Sequence, residues 1–198
     1  DKQLEVIEKC LGRLDGLGHF ISDILSVQSM ERGTLHKKLR PISIYTLIKR
    51  IIGYHEDQIQ VKSQQFVCHI PEDLPVMNLA PERISQVFDN LISNAIKYTP
   101  EKGTIKLDAE VKENSILFTV EDSGIGVSEK ELPHLFDDFF RTKEAKAGYE
   151  GTGLGLSVVA RIVKIHHGKV WATSTLGEGT TFHVELPFLE PEDLIEEE

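Results

Sequence analysis

The chain has 198 residues, of which 40% are hydrophobic and 27% charged, a balance that excludes a disordered protein and suits one ordinary domain plus a smaller element. Its net charge is -10, but six acidic residues fall between Glu190 and Glu198; the remainder is only mildly acidic, and the lack of any Lys/Arg-rich run argues against nucleic acid as a partner. Cys10 and Cys68 give neither a disulfide framework nor a metal-spaced cluster, so a reducing, cytoplasmic setting is expected.

Residues 1–33 read as one helix. Leu4, Ile7, Leu11, Leu14, Gly18, Ile21, Leu25 and Gln28 recur in steps of three and four, an a/d seam that a lone helix cannot bury. Such a seam suits either a surface helix packed on its own domain or one strand of an intermolecular bundle. Arg32-Gly33 supplies a basic last turn and a terminating glycine. Asp1 falls inside this helical pattern, so the chain is expected to be a fragment. No apolar stretch approaches bilayer length and no signal peptide is evident, which leaves any membrane attachment to segments outside it.

After a linker over 34–40 the texture changes at Pro41. A helix is predicted from Ser43 to about Ile59, then extended segments near Gln65–Ile70 and Val76–Leu79. A second helix runs from Pro81, a favourable first-turn residue, to Tyr98, and Pro100 stops it. Thr104–Val111 and Ser115–Asp122 alternate apolar and polar residues across a turn at Lys112–Asn114, which predicts a hairpin. A Gly- and charge-rich stretch leads to a helix near Leu156–His166. A closing hairpin follows, Val170–Ser174 and Thr180–Pro187 around Leu176-Gly177-Glu178-Gly179. Helices segregated over a largely antiparallel sheet predict an α+β layer sandwich. The domain is expected to span 41–189, with a solvated acidic tail over 190–198.

Four segments carry candidate chemistry, and each taken alone also suits ordinary structure. In Asp89-Asn90-Leu91-Ile92-Ser93-Asn94-Ala95-Ile96-Lys97-Tyr98, a rotation of about 100° per residue puts Asn90, Asn94 and Lys97 within an arc of roughly 60°. Ile84, Phe88, Leu91 and Ala95 form a separate apolar stripe. Amide oxygens are hard ligands suited to Mg²⁺, and a lysine one turn on can meet phosphate charge. Asp122-Ser123-Gly124-Ile125-Gly126 ends a strand with a carboxylate able to accept a hydrogen bond from an exocyclic amine, beside a tight turn. Gly151-Thr152-Gly153-Leu154-Gly155-Leu156-Ser157 offers bare backbone N–H groups at a helix start, a place for polyphosphate. It is not a P-loop, lacking Gly-Lys-Ser/Thr, and Rossmann spacing would need glycine at Leu156. Finally, Phe136, Phe139 and Phe140 precede Arg141-Thr142-Lys143. The stretch from there to Glu150 reads as a mobile flap anchored by the aromatics, with Arg141 and Lys143 able to swing onto phosphate.

In order and spacing these segments resemble the N, G1, F and G2 boxes of the histidine-kinase ATP-binding domain, within the GHKL group. The resemblance covers about residues 41–189. Residues 1–33 also look like the second helix of that family's dimerisation domain. The resemblance implies a Bergerat-type two-layer α/β sandwich with a mixed, mostly antiparallel sheet, preceded by a long N-terminal helix. It implies ATP and Mg²⁺ as ligands: Asn94 would hold the metal with Asn90 assisting, Lys97 would contact phosphate and Tyr98 would flank the nucleotide. Asp122 would read the adenine amine beside Gly124 and Gly126, while Gly151, Gly153 and Gly155, with Thr152 and Leu154 between them, would wrap the phosphates. Arg141 and Lys143 would be the lid cations. It further implies a homodimer through the N-terminal helix and a response-regulator receiver domain as downstream partner.

Two departures stand out. The phosphoacceptor segment, His-Glu/Asp-x-x-Thr/Ser-Pro, is absent, since neither His19 nor His55 has that context. Where relatives often carry His-Gly-Gly this chain has His166-His167-Gly168, which puts His167 where glycine would take a left-handed conformation more cheaply. Three functions are thus in view: a protein-histidine kinase module acting on a histidine outside this chain, an ATP-hydrolysing clamp, and a non-enzymatic nucleotide-binding scaffold. A clamp would need a glutamate where Asn90 stands, and Asp89, about 100° around the helix, points elsewhere. A scaffold would be expected to have lost box residues, and none is lost.

Overall fold

A computed structural model describes residues 39–188. The helix expected over 1–33, most of the linker and the acidic tail lie outside the described residues. The elements in chain order are β1 (Arg40–Ile42), α1 (Ile44–Val61), β2 (Gln65–His69), β3 (Met77–Leu79), α2 (Pro81–Tyr98), β4 (Thr104–Val111) and β5 (Ser115–Asp122). A single 3₁₀ turn at Leu132–His134 precedes α3 (Lys143–Gly148), α4 (Gly155–Ile165), β6 (Lys169–Thr175) and β7 (Gly179–Pro187).

Local chemistry sets the helix limits. Ser43 caps α1, its Oγ accepting from the Thr46 N–H at 3.3 Å. Ile44, Leu47, Ile48, Ile51, His55 and Ile59, spaced at three and four, form the buried face. Pro81 opens α2, as expected, and Ile84, Val87, Phe88, Leu91, Ile92 and Ala95 bury its inner stripe. At the far end of α2 the Lys62 Nζ donates to the carbonyls of Ile96 (2.7 Å), Lys97 (3.0 Å) and Thr99 (3.3 Å). A cation placed there satisfies orphan carbonyls and opposes the negative end of the helix dipole.

The main sheet has the order β2-β4-β5-β7-β6. Its β4–β5, β5–β7 and β6–β7 pairs are antiparallel, while β2 runs parallel to β4 with Phe66 opposite Ile105. The parallel pair follows from the crossover through α2, which a tight turn could not provide. Helices α1, α2 and α4 form the second layer, α2 lying on β5 between α1 and α4. The core closes between the layers, with Phe88 of α2 edge-on to Phe118 of β5 at 5.0 Å. This is the two-layer sandwich with a mixed, mostly antiparallel sheet predicted above.

Some details differ. Arg40, counted in the linker, begins β1, whose pairing with β3 (Arg40 opposite Leu79) forms a separate two-stranded sheet. Such three-residue strands carry no period of their own. The flap expected over 143–150 is instead the short helix α3, capped by the Thr142 hydroxyl, which accepts from the Ala145 N–H at 3.2 Å. Phe136 and Phe140 pack on the core as expected. Phe139 does not: it is 65% exposed with φ +60°, because the chain turns there to bring the glycine loop beneath it.

Candidate functional site

A cavity of about 1330 Å³ opens along α2 and runs down to the end of β5. Asn90, Asn94, Lys97 and Tyr98 of α2, Asp122 at the end of β5 and Gly126 after it, Arg141 and Thr142 before α3, Gly151, Thr152 and Gly153 before α4, and Gly155 at its first position all line it. Residues scattered over 65 positions thus share one space. Three predicted residues stand outside the lining. Gly124 sits behind Asp122, donating its N–H to Oδ1 at 2.8 Å. Leu154 is buried as the residue preceding α4. Lys143 is exposed at the start of α3, where its backbone N–H donates to Glu131 Oε1 at 3.1 Å.

On the α2 face the Asn90 amide is held in a fixed orientation. The Asn90 Nδ2 donates to the Gln86 carbonyl at 2.9 Å, which leaves the amide oxygen directed at the glycine loop. That oxygen would lie 2.6 Å from a Cβ at Gly155, so only glycine lets the loop come so near. Among the described residues no group of three or more His, Cys, Asp or Glu forms a metal cluster. Amide oxygens supplemented by phosphate and water suit Mg²⁺, which keeps much of its hydration. The residues present therefore fit the metal that the sequence implies.

Asp89, the neighbour a clamp would need as a base, turns toward α1, its Oδ1 lying 2.8 Å from His55 Nε2. His55 itself is only 9% exposed, the position of a core histidine and not of a phosphoacceptor.

Lys97 carries its charge at a cost. Burial and the adjacent Arg141 guanidinium both lower its pKa, and Glu150 acts in the opposite sense. Its Nζ lies 4.7 Å from the Tyr98 ring centroid, and a Cβ at Gly151 would meet it at 2.8 Å. An anionic ligand between the glycine loop and Lys97 would relieve that cost.

Asp122 lies at the opposite end of the cavity and is 6% exposed. Burial raises its pKa to about 6, against the hydrogen bonds from the Gly124 and Thr180 backbones that lower it; Glu121 adds to the rise. It is still mostly a carboxylate at neutral pH, in a poorly hydrated place where it can accept from an amine. The turn after it is held shut by Gly126, whose φ of +64° and approach to the Thr175 carbonyl, 2.0 Å from an added Cβ, exclude any side chain.

Sequence reasoning missed several supports. Ser174 Oγ accepts from the Val127 N–H at 2.8 Å and so fixes the turn beyond Asp122. His166, buried at the end of α4, accepts the Ala80 N–H on Nε2 at 3.1 Å and donates from Nδ1 to the Ile162 carbonyl at 2.7 Å. Burial lowers its pKa and keeps it neutral in that role. Partners 86 residues apart leave no local sequence signal. His167 has φ +56°, the left-handed conformation that its departure from glycine predicted.

The geometry agrees with the comparisons. A family model described as histidine kinase-, DNA gyrase B-, and HSP90-like ATPase matches residues 80–190, more than half of the chain. The chain belongs to this ATPase family. The adaptive-response sensory kinase SasA of Synechococcus sp. (strain JA-3-3Ab) is 36% identical over 190 residues, covering 94% of this chain and 50% of SasA. The chain thus spans about half the length of that relative. The catalytic domain of histidine kinase ThkA superposes with a TM-score of 0.68 at 31% identity, covering 76% of this chain and 98% of that domain. The larger ThkA structure in complex with response regulator TrrA gives 0.71 at 26% identity, covering 96% and 51%. Full-length ShkA in complex with AMPPNP gives 0.79 at 25% identity, covering 95% and 39%. As an ATPase-family domain the chain provides the ATP-binding module, and among its described residues no helix is long and apolar enough to cross a membrane.

Proposed function

We propose that this chain is the ATP-binding catalytic part of a sensor histidine kinase, holding Mg-ATP so that the γ-phosphoryl group faces an incoming imidazole. The single observation that carries the reading is the convergence of Asn90, Asn94 and Lys97 on one face of α2 with Asp122 in one cavity. In it, Asp122 takes the adenine amine, Tyr98 flanks the nucleotide, and Gly151, Gly153 and Gly155 surround the phosphates with Thr152 between them. Asn94 and Asn90 hold Mg²⁺, which supplies charge neutralisation at the phosphates. Lys97 adds a second positive charge at the phosphates.

The chemistry is transfer of the γ-phosphoryl group to an imidazole nitrogen as its bond to the ADP oxygen breaks. Positioning and charge neutralisation supply most of the rate. The acceptor histidine, and any base that takes its proton, lie outside this chain. Onward transfer to a response-regulator aspartate, homodimerisation through the N-terminal helix and a cytoplasmic location complete the proposal. The complex of the neighbour ThkA with TrrA supports the first of these. The domain limits proposed are 1–33 for the dimerisation helix and 41–189 for the ATP-binding unit. The clamp alternative draws no support from Asp89, which is engaged by His55.

The test is transfer in trans. The chain is mixed with a separate histidine-bearing helical bundle and Mg-ATP labelled at the γ-phosphate. Acid-labile phosphate is expected on the bundle and not on this chain; label on His19 or His55, or steady ATP hydrolysis without transfer, would overturn the reading.

A further inference from the structure

Arg141 was expected to reach phosphate, yet its Nη2 is already engaged within the protein, and its Nε is buried without a partner. Nη2 donates to the Ala145 carbonyl at 2.8 Å and to the Tyr149 carbonyl. The Ala145 carbonyl also accepts the Tyr149 N–H at 3.1 Å, so the guanidinium shares it, while the Tyr149 carbonyl lies just past the last residue of the helix, where carbonyls lack helical partners. Helix α3 needs such help. It has six residues, Lys-Glu-Ala-Lys-Ala-Gly, far below the roughly 12 that make an isolated helix even marginal.

Its other end is pinned as well. The Thr142 hydroxyl accepts the Ala145 N–H, and Glu131, itself held by the Ser128 hydroxyl at 2.6 Å, accepts the Lys143 N–H. The product of this bracing is the placement of Tyr149, whose ring meets edge-on, at 5.0 Å, the ring of Tyr98, a residue of the cavity lining.

We propose that Arg141 is a positioning residue: a clasp that holds the segment 143–149 as a helix and thereby lays Tyr149 on Tyr98, acting on the nucleotide through this wall and not by contact with phosphate. The clasp rests on the nucleotide-site reading only for its consequence, since the bonds exist within the protein alone. A cation is required for the fit because it meets two carbonyls at a helix end, where a positive charge is also favoured by the dipole.

The experiment has two arms. In nucleotide-free protein, amide exchange is followed at Lys146 and Tyr149, whose N–H groups bond within α3. The clasp predicts that Arg141→Ala speeds exchange at both by about tenfold or more, with α2 amides unchanged as the control for folding. Unchanged exchange at Tyr149 would overturn it. In the second arm, ATP and ADP affinities are compared. The clasp predicts an equal loss for both in Arg141→Ala, and a similar loss in Thr142→Ala, which leaves the guanidinium in place. A loss confined to ATP and restored by Arg141→Lys would show direct contact with the γ-phosphate and refute the proposal. So would full affinity in a Thr142→Ala protein whose α3 amides exchange freely. Should the wild-type chain bind neither nucleotide, the function reading fails while the exchange arm still decides the clasp.

Discussion

Replacing Asp122 by Asn separates what this carboxylate costs the fold from what it does for a ligand. In the folded chain its pKa is about 6, against an ordinary 3.8, with burial as the main cause. The gap is equivalent to about 3 kcal/mol in favour of the protonated form in the fold. Because the folded-state value is the higher one, the fold binds the proton more tightly than the unfolded chain. This contribution to stability is fully present below about pH 3.8 and is lost as pH rises through 6. Asparagine resembles the neutral acid in shape and does not titrate. Urea unfolding of both proteins at about pH 4 and about pH 7.5 should therefore show the variant gaining on the wild type by about 2–3 kcal/mol between the two conditions. Nucleotide affinity should move the other way. Losing a charge-assisted hydrogen bond to the adenine amine, with an amide donor turned toward it, should weaken ATP by about 10- to 100-fold at neutral pH, measured by calorimetry. A stability difference independent of pH would refute the buried-carboxylate argument, and an unchanged preference for adenine would show that Asp122 does not read the base.

Asn94→Ala should remove most Mg²⁺-dependent ATP binding, and titrations with and without the metal check this; equal ATP affinity in the two proteins would sink the metal assignment. His167→Gly should raise stability by about 1 kcal/mol, since glycine takes φ +56° without a Cβ clash, and should leave ATP affinity unchanged; a destabilised variant in thermal or urea unfolding would contradict it. His166→Phe fills the same space but strips the Ala80 N–H and the Ile162 carbonyl of their partner, at a cost of about 1–3 kcal/mol by denaturant unfolding. The lowered folded-state pKa of His166 means that its contribution is present above about pH 6.5 and lost as pH falls, so the gap between wild type and variant should narrow in acid.

How much was legible in the sequence follows from the range of each interaction. The face of α2 was, because a helix of 18 residues with a clear apolar stripe fixes the azimuth of Asn90, Asn94 and Lys97 by periodicity alone. The hairpin of β4 and β5 was as well, through its alternation, and with it the position of Asp122 at a strand end. Helix α3 was not. It has no apolar stripe, and its existence depends on Arg141, Thr142 and Glu131, groups that lie outside it. A segment that looks too polar and too short to fold by itself reads as a flap until the contacts that hold it are seen. The same holds for β1, although its partner β3 was read as an extended segment near Val76–Leu79, and for His166, whose partner belongs to the start of another helix.

The two ends of the cavity carry opposite and complementary penalties. Burial pushes the Asp122 carboxylate toward its neutral form, and burial with Arg141 pushes the Lys97 ammonium toward its own. Neither change helps the protein when no ligand is bound, because a buried charge without its counterpart is a loss. Both make sense for a ligand that is a hydrogen-bond donor at one end and a polyanion at the other. On the proposed reading the donor would meet a carboxylate that water barely screens, and the phosphates would meet a lysine short of partners. Each interaction is then stronger than it would be on an exposed surface. Sites that hold charge in advance of the ligand need rigid supports, and this one has them. Lys62 fixes the end of α2 beneath Lys97, and the Gly124 N–H holds Asp122 from behind. The fold thus sets aside stability at one buried and one half-buried charge, and on the proposed reading a nucleotide spanning the distance between them would return it as binding energy.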